Sequence, residues 1–135
     1  MGYDQGMIQS PSIVYSLNLV AGWCGFLAGA ASGALIGLAF HREEWLGGYG
    51  SFRRRLLRLG HIAFFGLGLI NILFALSVSG AAPLADLASM LLLVGLVTMP
   101  LTCFATSWRP TFRHLFFIPA GSTLLGIASL LIHLL

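Results

Sequence analysis

Three histidines are the side chains of this sequence best suited to chemistry. His41, His61 and His114 each lie close to one end of a long apolar segment. In the topology derived below they fall near the same face of a membrane, within about two helical turns of depth of one another. Imidazole nitrogens bind iron, copper and zinc, and two histidines on facing helices can hold haem b. One interpretation is therefore a haem b or metal site, with His61 and His114 as the first candidate ligands and His41 as the next.

A plainer interpretation of the same histidines stays open. The imidazole has an apolar body and a polar tip, so histidine also suits the ends of membrane helices, where it bonds carbonyls or lipid headgroups. No spacing signature separates the two interpretations. His133, near the opposite face, fits the interfacial one.

Arginines lie beside the candidate ligands. Arg58 and Arg113, and also Arg54 and Arg55, could pair with the propionates of a haem. The run over residues 53–58 has two further interpretations. It is either an anchor for anionic lipid that also stops translocation, or a docking patch for an acidic partner subunit or a quinone head group.

Several functional classes lack the residues that they require. No Asp, Glu, Lys or Arg lies in the middle of an apolar segment, whereas ion-coupled transporters and proton pumps usually keep one at membrane depth. Paired carboxylates, a Gly-rich phosphate loop and a nucleophile elbow are absent from the sequence, so an enzyme is not expected. All 7 basic residues are arginines between apolar runs, which favours a membrane surface over nucleic acid as their partner.

The apolar segments predict the elements that position these residues. Of the 135 residues, 58% are hydrophobic and 8% are charged, which is outside the range of ordinary soluble domains. Four segments are long enough to cross a hydrocarbon core of about 30 Å as helices. The sequence predicts one all-α domain, an up-and-down bundle of four transmembrane helices over residues 13–40, 56–79, 84–107 and 112–135.

A row of glycines at every fourth position runs along one face of the first segment: Gly25, Gly29, Gly33 and Gly37. Small residues at this spacing let helix backbones approach closely inside membranes. His41 continues the same spacing. We expect the row to pack against the second or fourth helix and to bring His41 close to His61 or His114.

The other three segments carry small or polar stripes of their own, which are expected to meet inside the bundle. Asn71 is the one amide placed deep in a segment, and its expected role is an inter-helix hydrogen bond, with ligand contact as the alternative. Three threonines are expected to bond backbone carbonyls that Pro100 leaves free, with a polar pore as the alternative. The stripes are Gly60, Phe64, Gly68, Asn71, Ala75 and Ser79; Ala88, Gly95, Thr98, Thr102 and Thr106; and His114, Ile118, Ser122, Gly126, Ser129 and His133.

The arginines also predict the orientation. All of them flank the first and third connections between helices, and the opposite side carries none. By the positive-inside rule both arginine-rich connections are cytoplasmic and both termini are outside, as in a bacterial inner membrane. Tyr3 and Tyr15 are expected at the outer interface. Cys24 and Cys103 are expected to be buried and too different in depth for a disulfide.

These features favour a small, non-catalytic integral membrane subunit of a larger complex, such as a respiratory or electron-transfer complex. It would hold a haem or quinone near the cytoplasmic face. Its expected partners are the lipid bilayer and other membrane subunits or further copies of itself. The alternative from a different class is a small oligomeric channel or facilitator for a neutral or anionic solute, oligomeric because four helices rarely enclose a pore alone.

Overall fold

A computed structural model describes residues 14–135 of the chain, and within them it contains helices and no strand. Four of the helical segments are long and apolar enough to cross a membrane, which confirms the predicted all-α chain with four such segments. Tyr3 and the first residue of the predicted first span lie outside the described residues. The helices are α1 (Ser16–Ala39), α2 (Phe52–Ser77), α3 (Pro83–Trp108) and α4 (Phe117–Leu134), with short 3-10 segments at Trp45–Gly47 and Pro110–Phe116.

The second helix begins at Phe52 and not at residue 56, because Ser51 caps it. The Ser51 hydroxyl accepts a hydrogen bond from the backbone N–H of Arg54 at 3.2 Å. This satisfies one of the donors that a helix start leaves free. The arginine run therefore forms the first turn of α2 instead of lying in the preceding loop.

The four helices follow the predicted up-and-down order but form an open row. Helix α1 packs along α2, α2 along α3, and α3 along α4, whereas α1 touches α3 at few points and makes no extensive contact with α4. In the most apolar stretch of each segment, 39% of the residues are buried in α2 and in α3. The share is 17% in α1 and 22% in the segment that contains α4. The two outer helices therefore each leave most of their surface uncovered.

The glycine-rich face of α1 packs on α2 over part of its length. A Cβ built on Gly22 would lie 2.6 Å from the Gly68 carbonyl oxygen, and one on Gly29 would lie 2.7 Å from the Phe65 ring. Gly25 and Gly33 also face α2, but Gly37 has nothing within 4 Å. The close approach thus uses Gly22, which lies outside the four-residue row, and does not extend to Gly37.

Small residues also line the other two helix contacts. Cβ atoms on Gly60 and Gly126 would meet Cys103 at 3.0 Å and Leu92 at 3.1 Å, respectively. In the predicted stripes of α3 and α4, Gly95 faces Ser122 and Thr123. Cys103 is buried and Cys24 is exposed, and neither forms a disulfide. The expectation that both cysteines are buried was therefore wrong for Cys24.

Candidate functional site

The three candidate histidines lie in three different surroundings. His41 follows the end of α1 at Ala39, so it does not continue the glycine face as predicted, and its exposed ring bonds the Leu38 carbonyl through Nδ1 at 2.8 Å. His114 is exposed on the 3-10 segment that precedes α4. Within residues 14–135, no hydrogen bond joins either of these rings to His61. Among residues 14–135, no group of three or more His, Cys, Asp or Glu side chains could hold a metal ion.

His61 lies in the contact between α1 and α2. Its Nδ1 is 2.8 Å from the Gly29 carbonyl oxygen and 3.4 Å from the Ser32 hydroxyl. The Ser32 hydroxyl itself donates to the Gly29 carbonyl at 3.0 Å. Because a carbonyl only accepts, Nδ1 carries the proton in this contact. The absence of a side chain at Gly33 makes room for the ring. His61 is thus a packing residue, and its Nε2 makes no hydrogen bond within residues 14–135.

The candidate propionate partners also lie in different surroundings. The Arg58 guanidinium lies 4.6 Å from the centre of the Tyr49 ring and donates to the Tyr49 carbonyl at 3.3 Å. Arg113 is exposed on the 3-10 segment beside His114. Arg58 therefore contacts the connection between α1 and α2, whereas Arg113 is adjacent in sequence to the candidate ligand His114.

Arg54 organises the connection between α1 and α2. Only 2% of its surface is exposed. Its guanidinium donates to the carbonyls of Trp45 at 2.5 Å and Glu43 at 3.1 Å, and also to that of Arg42. It also lies 5.3 Å from the centre of the Trp45 ring, at cation–π distance. The carbonyls of Arg42 and Trp45 also accept backbone N–H groups within the segment, so the guanidinium adds to these turns and is itself satisfied as a buried cation.

A second buried polar cluster joins three helices. The Asn18 amide donates to Asn71 Oδ1 at 2.8 Å, and the Ser89 hydroxyl donates to Asn18 Oδ1 at 2.5 Å. The Asn71 amide donates to the carbonyls of Leu67 at 2.9 Å and Leu92 at 3.2 Å. Asn71 thus makes inter-helix hydrogen bonds. The cluster ends on backbone carbonyls, so it fixes helix positions and leaves no donor free for a ligand.

Asn18 shows that Asn71 is not the one amide deep in the bundle, as the sequence had suggested. Both side chains are 0% exposed. Asn18 lies in the first turn of α1, where a polar residue is common at a helix end, so its position alone does not mark it as buried. A sign was present in its spacing, because Asn18 precedes Gly22 and Gly25 on the face that packs on α2.

Tyr15 is buried against other helices, with 7% of its surface exposed. Its predicted level at the outer membrane interface stays a prediction. Its hydroxyl donates to Asp86 Oδ1 at 2.7 Å, and its ring packs edge-on against Phe74 with 4.9 Å between centres. Burial raises the pKa of Tyr15 above its ordinary value of 10.0, and the hydrogen bond to Asp86 raises it further. The residue just before α1 is therefore tied to the first turn of α3.

Thr98 and Thr106 do not repair the gap at Pro100 as expected. Thr98 donates to the Val94 carbonyl at 2.7 Å, four residues back, and not to the carbonyl of Leu96 that Pro100 cannot bond. The Thr106 hydroxyl is buried with no hydrogen-bond partner among the described residues. Thr98 thus satisfies its own hydroxyl without compensating for the proline.

Comparison of the chain with protein-family models, curated proteins and solved structures gave no significant match. The functional argument therefore depends on the geometry of the chain itself. Within residues 14–135, that geometry offers packing surfaces, two closed polar clusters and one histidine, His61, whose Nε2 makes no hydrogen bond.

Proposed function

We propose that this chain is a small, non-catalytic integral membrane subunit that packs on other chains of a membrane complex through its outer helices. The observation that carries the proposal is the open row. Helix α1 packs mainly on α2 and helix α4 mainly on α3, and the segments that contain them are long and apolar enough to span a bilayer. Their remaining faces suit lipid or another membrane helix better than water.

The proposed orientation places the arginine-rich end in the cytoplasm, with both termini outside, in a bacterial inner membrane. The antiparallel packing of α2 and α3 supports placing the two arginine-rich connections at the same end of the molecule, since Arg53 at the start of α2 bonds Ser107 at the end of α3. Asp86 lies at the other end, in the first turn of α3. Cytoplasmic loops carry an excess of arginine, which supports this sidedness.

A cofactor near the cytoplasmic face is a narrower proposal, with haem b or a quinone as the group and a respiratory or electron-transfer complex as the setting. His61 supports it best. Its Nδ1 is held by a backbone carbonyl, the arrangement that commonly orients a ligating histidine so that Nε2 binds the metal. A second axial ligand would come from His114, His41 or a partner chain.

Purification in a mild detergent tests the subunit proposal and its cofactor part together. The proposed complex has a mass well above the 14.4 kDa of the chain and contains other polypeptides in fixed ratio. A haem adds a Soret absorbance band that His61→Ala removes, whereas His133→Ala, at the other end, leaves it. A colourless complex would exclude haem as the cofactor and leave the subunit proposal in place. A homo-oligomer with solute flux in liposomes would contradict the subunit proposal and favour the channel alternative.

A further inference from the structure

A groove at the arginine-rich end lies between the start of α2 and the end of α3. Because these helices are antiparallel, Arg53 and Ser107 lie at its outer end, and Leu57 and Phe104 lie about one turn further in. The groove is therefore polar at one end and apolar at the other. It has a volume of about 360 Å³ and is lined by Leu46, Arg53, Leu57, Phe104, Ser107 and Trp108.

The guanidinium of Arg53 is held in one orientation at this groove. Its Nε donates to the Ser107 carbonyl at 2.8 Å, and the Ser107 hydroxyl donates to the Arg53 carbonyl at 3.3 Å. A guanidinium has five N–H donors, and this contact uses one of them. Within residues 14–135, the Nη nitrogens make no further hydrogen bond. The groove thus contains an oriented cation with open donors, which suits the oxygens of a phosphate.

We propose that this groove binds one anionic phospholipid. The headgroup phosphate lies on the Nη nitrogens of Arg53, and an acyl chain runs inward along Leu57 and Phe104. Trp108, which is 79% exposed, lies at headgroup level, where tryptophan is enriched in membrane proteins. The inference rests on the proposed membrane insertion and adds a specific lipid site to it.

A second groove, without a charged side chain, shows why Arg53 is needed to select a headgroup. It lies between α1, α2 and α3, has a volume of about 290 Å³, and is bounded by residues such as Gly25, Phe64 and Leu96. No charged side chain lines it, so it has no means of selecting a headgroup. In the groove at Arg53, by contrast, charge complementarity selects an anionic lipid over a zwitterionic one.

Native mass spectrometry of the purified full chain tests the site. The protein in detergent is titrated with phosphatidylglycerol or with phosphatidylcholine of identical acyl chains, and bound lipids are counted. We expect the first lipid to bind with a clear preference for phosphatidylglycerol. Arg53→Gln should reduce that preference about tenfold, the effect of losing one charge-assisted hydrogen bond. Arg42→Gln, which removes the same charge from an exposed loop side chain, should leave it unchanged.

Three results would overturn the site. Equal affinity for the two lipids in the unmodified protein would show that the headgroup is not selected. Equal losses in Arg53→Gln and Arg42→Gln would assign the preference to overall surface charge. Should Arg53→Gln fail to fold, Arg53→Lys serves instead, because it keeps the positive charge but lacks the planar, bidentate guanidinium. An undiminished preference for phosphatidylglycerol in Arg53→Lys would contradict an oriented guanidinium. Alkaline carbonate extraction tests membrane insertion separately, so a failure of the lipid site is distinguishable from a failure of insertion.

Discussion

Two asparagine side chains determine how the first three helices fit together. Asn18 and Asn71 bond each other, and Ser89 and the Leu92 carbonyl extend the cluster onto α3. Every one of these contacts joins residues at one depth of the molecule. A shift of one helix along its axis would break several bonds at once, and buried amides without partners are costly. The cluster therefore specifies the relative heights of α1, α2 and α3.

A double-mutant cycle measures this coupling. Asn18→Ala and Asn71→Ala each leave a buried amide partner unpaired, so their effects on the free energy of unfolding should not add. Hydrogen bonds between membrane helices average about 0.6 kcal/mol and reach about 1.7 kcal/mol, and we expect a coupling energy in this range. The measurement is reversible unfolding in mixed micelles. Ser77→Ala is the control, because the Ser77 hydroxyl bonds only Leu73 of its own helix. Additive effects would show that the amides do not act together.

Tyr15 makes the free energy of unfolding depend on pH in the alkaline range. Its pKa is raised in the folded protein, so the protonated phenol is favoured there relative to the unfolded chain. The stability that it contributes is present below pH 10 and is lost as the pH rises through the raised pKa. The ultraviolet absorbance of tyrosinate should show a late-titrating tyrosine that is missing in Tyr15→Phe, while Tyr49→Phe retains it. A late titration that persists in Tyr15→Phe would contradict the assignment.

Residue types alone could identify part of this chemistry. An amide inside an apolar segment stands out, so Asn71 was recognisable from the sequence, whereas Asn18 resembled an ordinary helix-end residue. Arg54 was not separable from Arg53 and Arg55, since three adjacent arginines look alike until the loop closes over one of them. The surroundings of His41 depend on where α1 ends, and periodicity places helix ends poorly.

At the level of the elements, two glycines of α1 allow a matched pair of substitutions, one in a helix contact and one outside it. In Gly22→Ala the new Cβ would lie 2.6 Å from a backbone oxygen of α2, so the helices must separate. Overpacking of this kind costs about 1–3 kcal/mol. Gly37→Ala meets nothing within 4 Å and should be neutral or stabilising by up to about 1 kcal/mol, through helix propensity. Thermal unfolding in detergent checks both variants. Equal effects would contradict the packing of α1 on α2.

Hydrophobic patterning could predict the four helices but not their neighbours. Long apolar runs separated by Gly, Pro and Arg predicted four membrane-length segments, which the structure contains. Parts of the predicted stripes face other helices, as the burial of Gly95, Ser122 and Gly126 shows, whereas Ser79, His114 and Ile118 are exposed. A stripe does not state which helix it meets, however. The open row, and the use of Gly22 in place of Gly37, became evident only from the packing.

At the level of the whole molecule, the proposed sidedness has a direct test. Gly50 and Gly80 lie in connections at opposite ends, are exposed and have nothing within 4 Å of a built Cβ. Cysteine is placed at either position after Cys24→Ala and Cys103→Ala. In intact cells a membrane-impermeant thiol reagent should label Gly80→Cys, and it should label Gly50→Cys only after permeabilisation. The reverse pattern would contradict the proposed orientation.

The central claim is that another protein covers the open side of α1, and photo-crosslinking in the native membrane tests it most directly. A photoreactive residue replaces Leu27, which is 72% exposed on α1, or Met90, which is 68% exposed on the central helix α3. The account predicts a discrete protein adduct from position 27 and mainly lipid adducts from position 90. A protein adduct larger by a mass other than 14.4 kDa identifies a different subunit, whereas a gain of 14.4 kDa identifies a second copy. Lipid adducts alone from position 27 would contradict the claim.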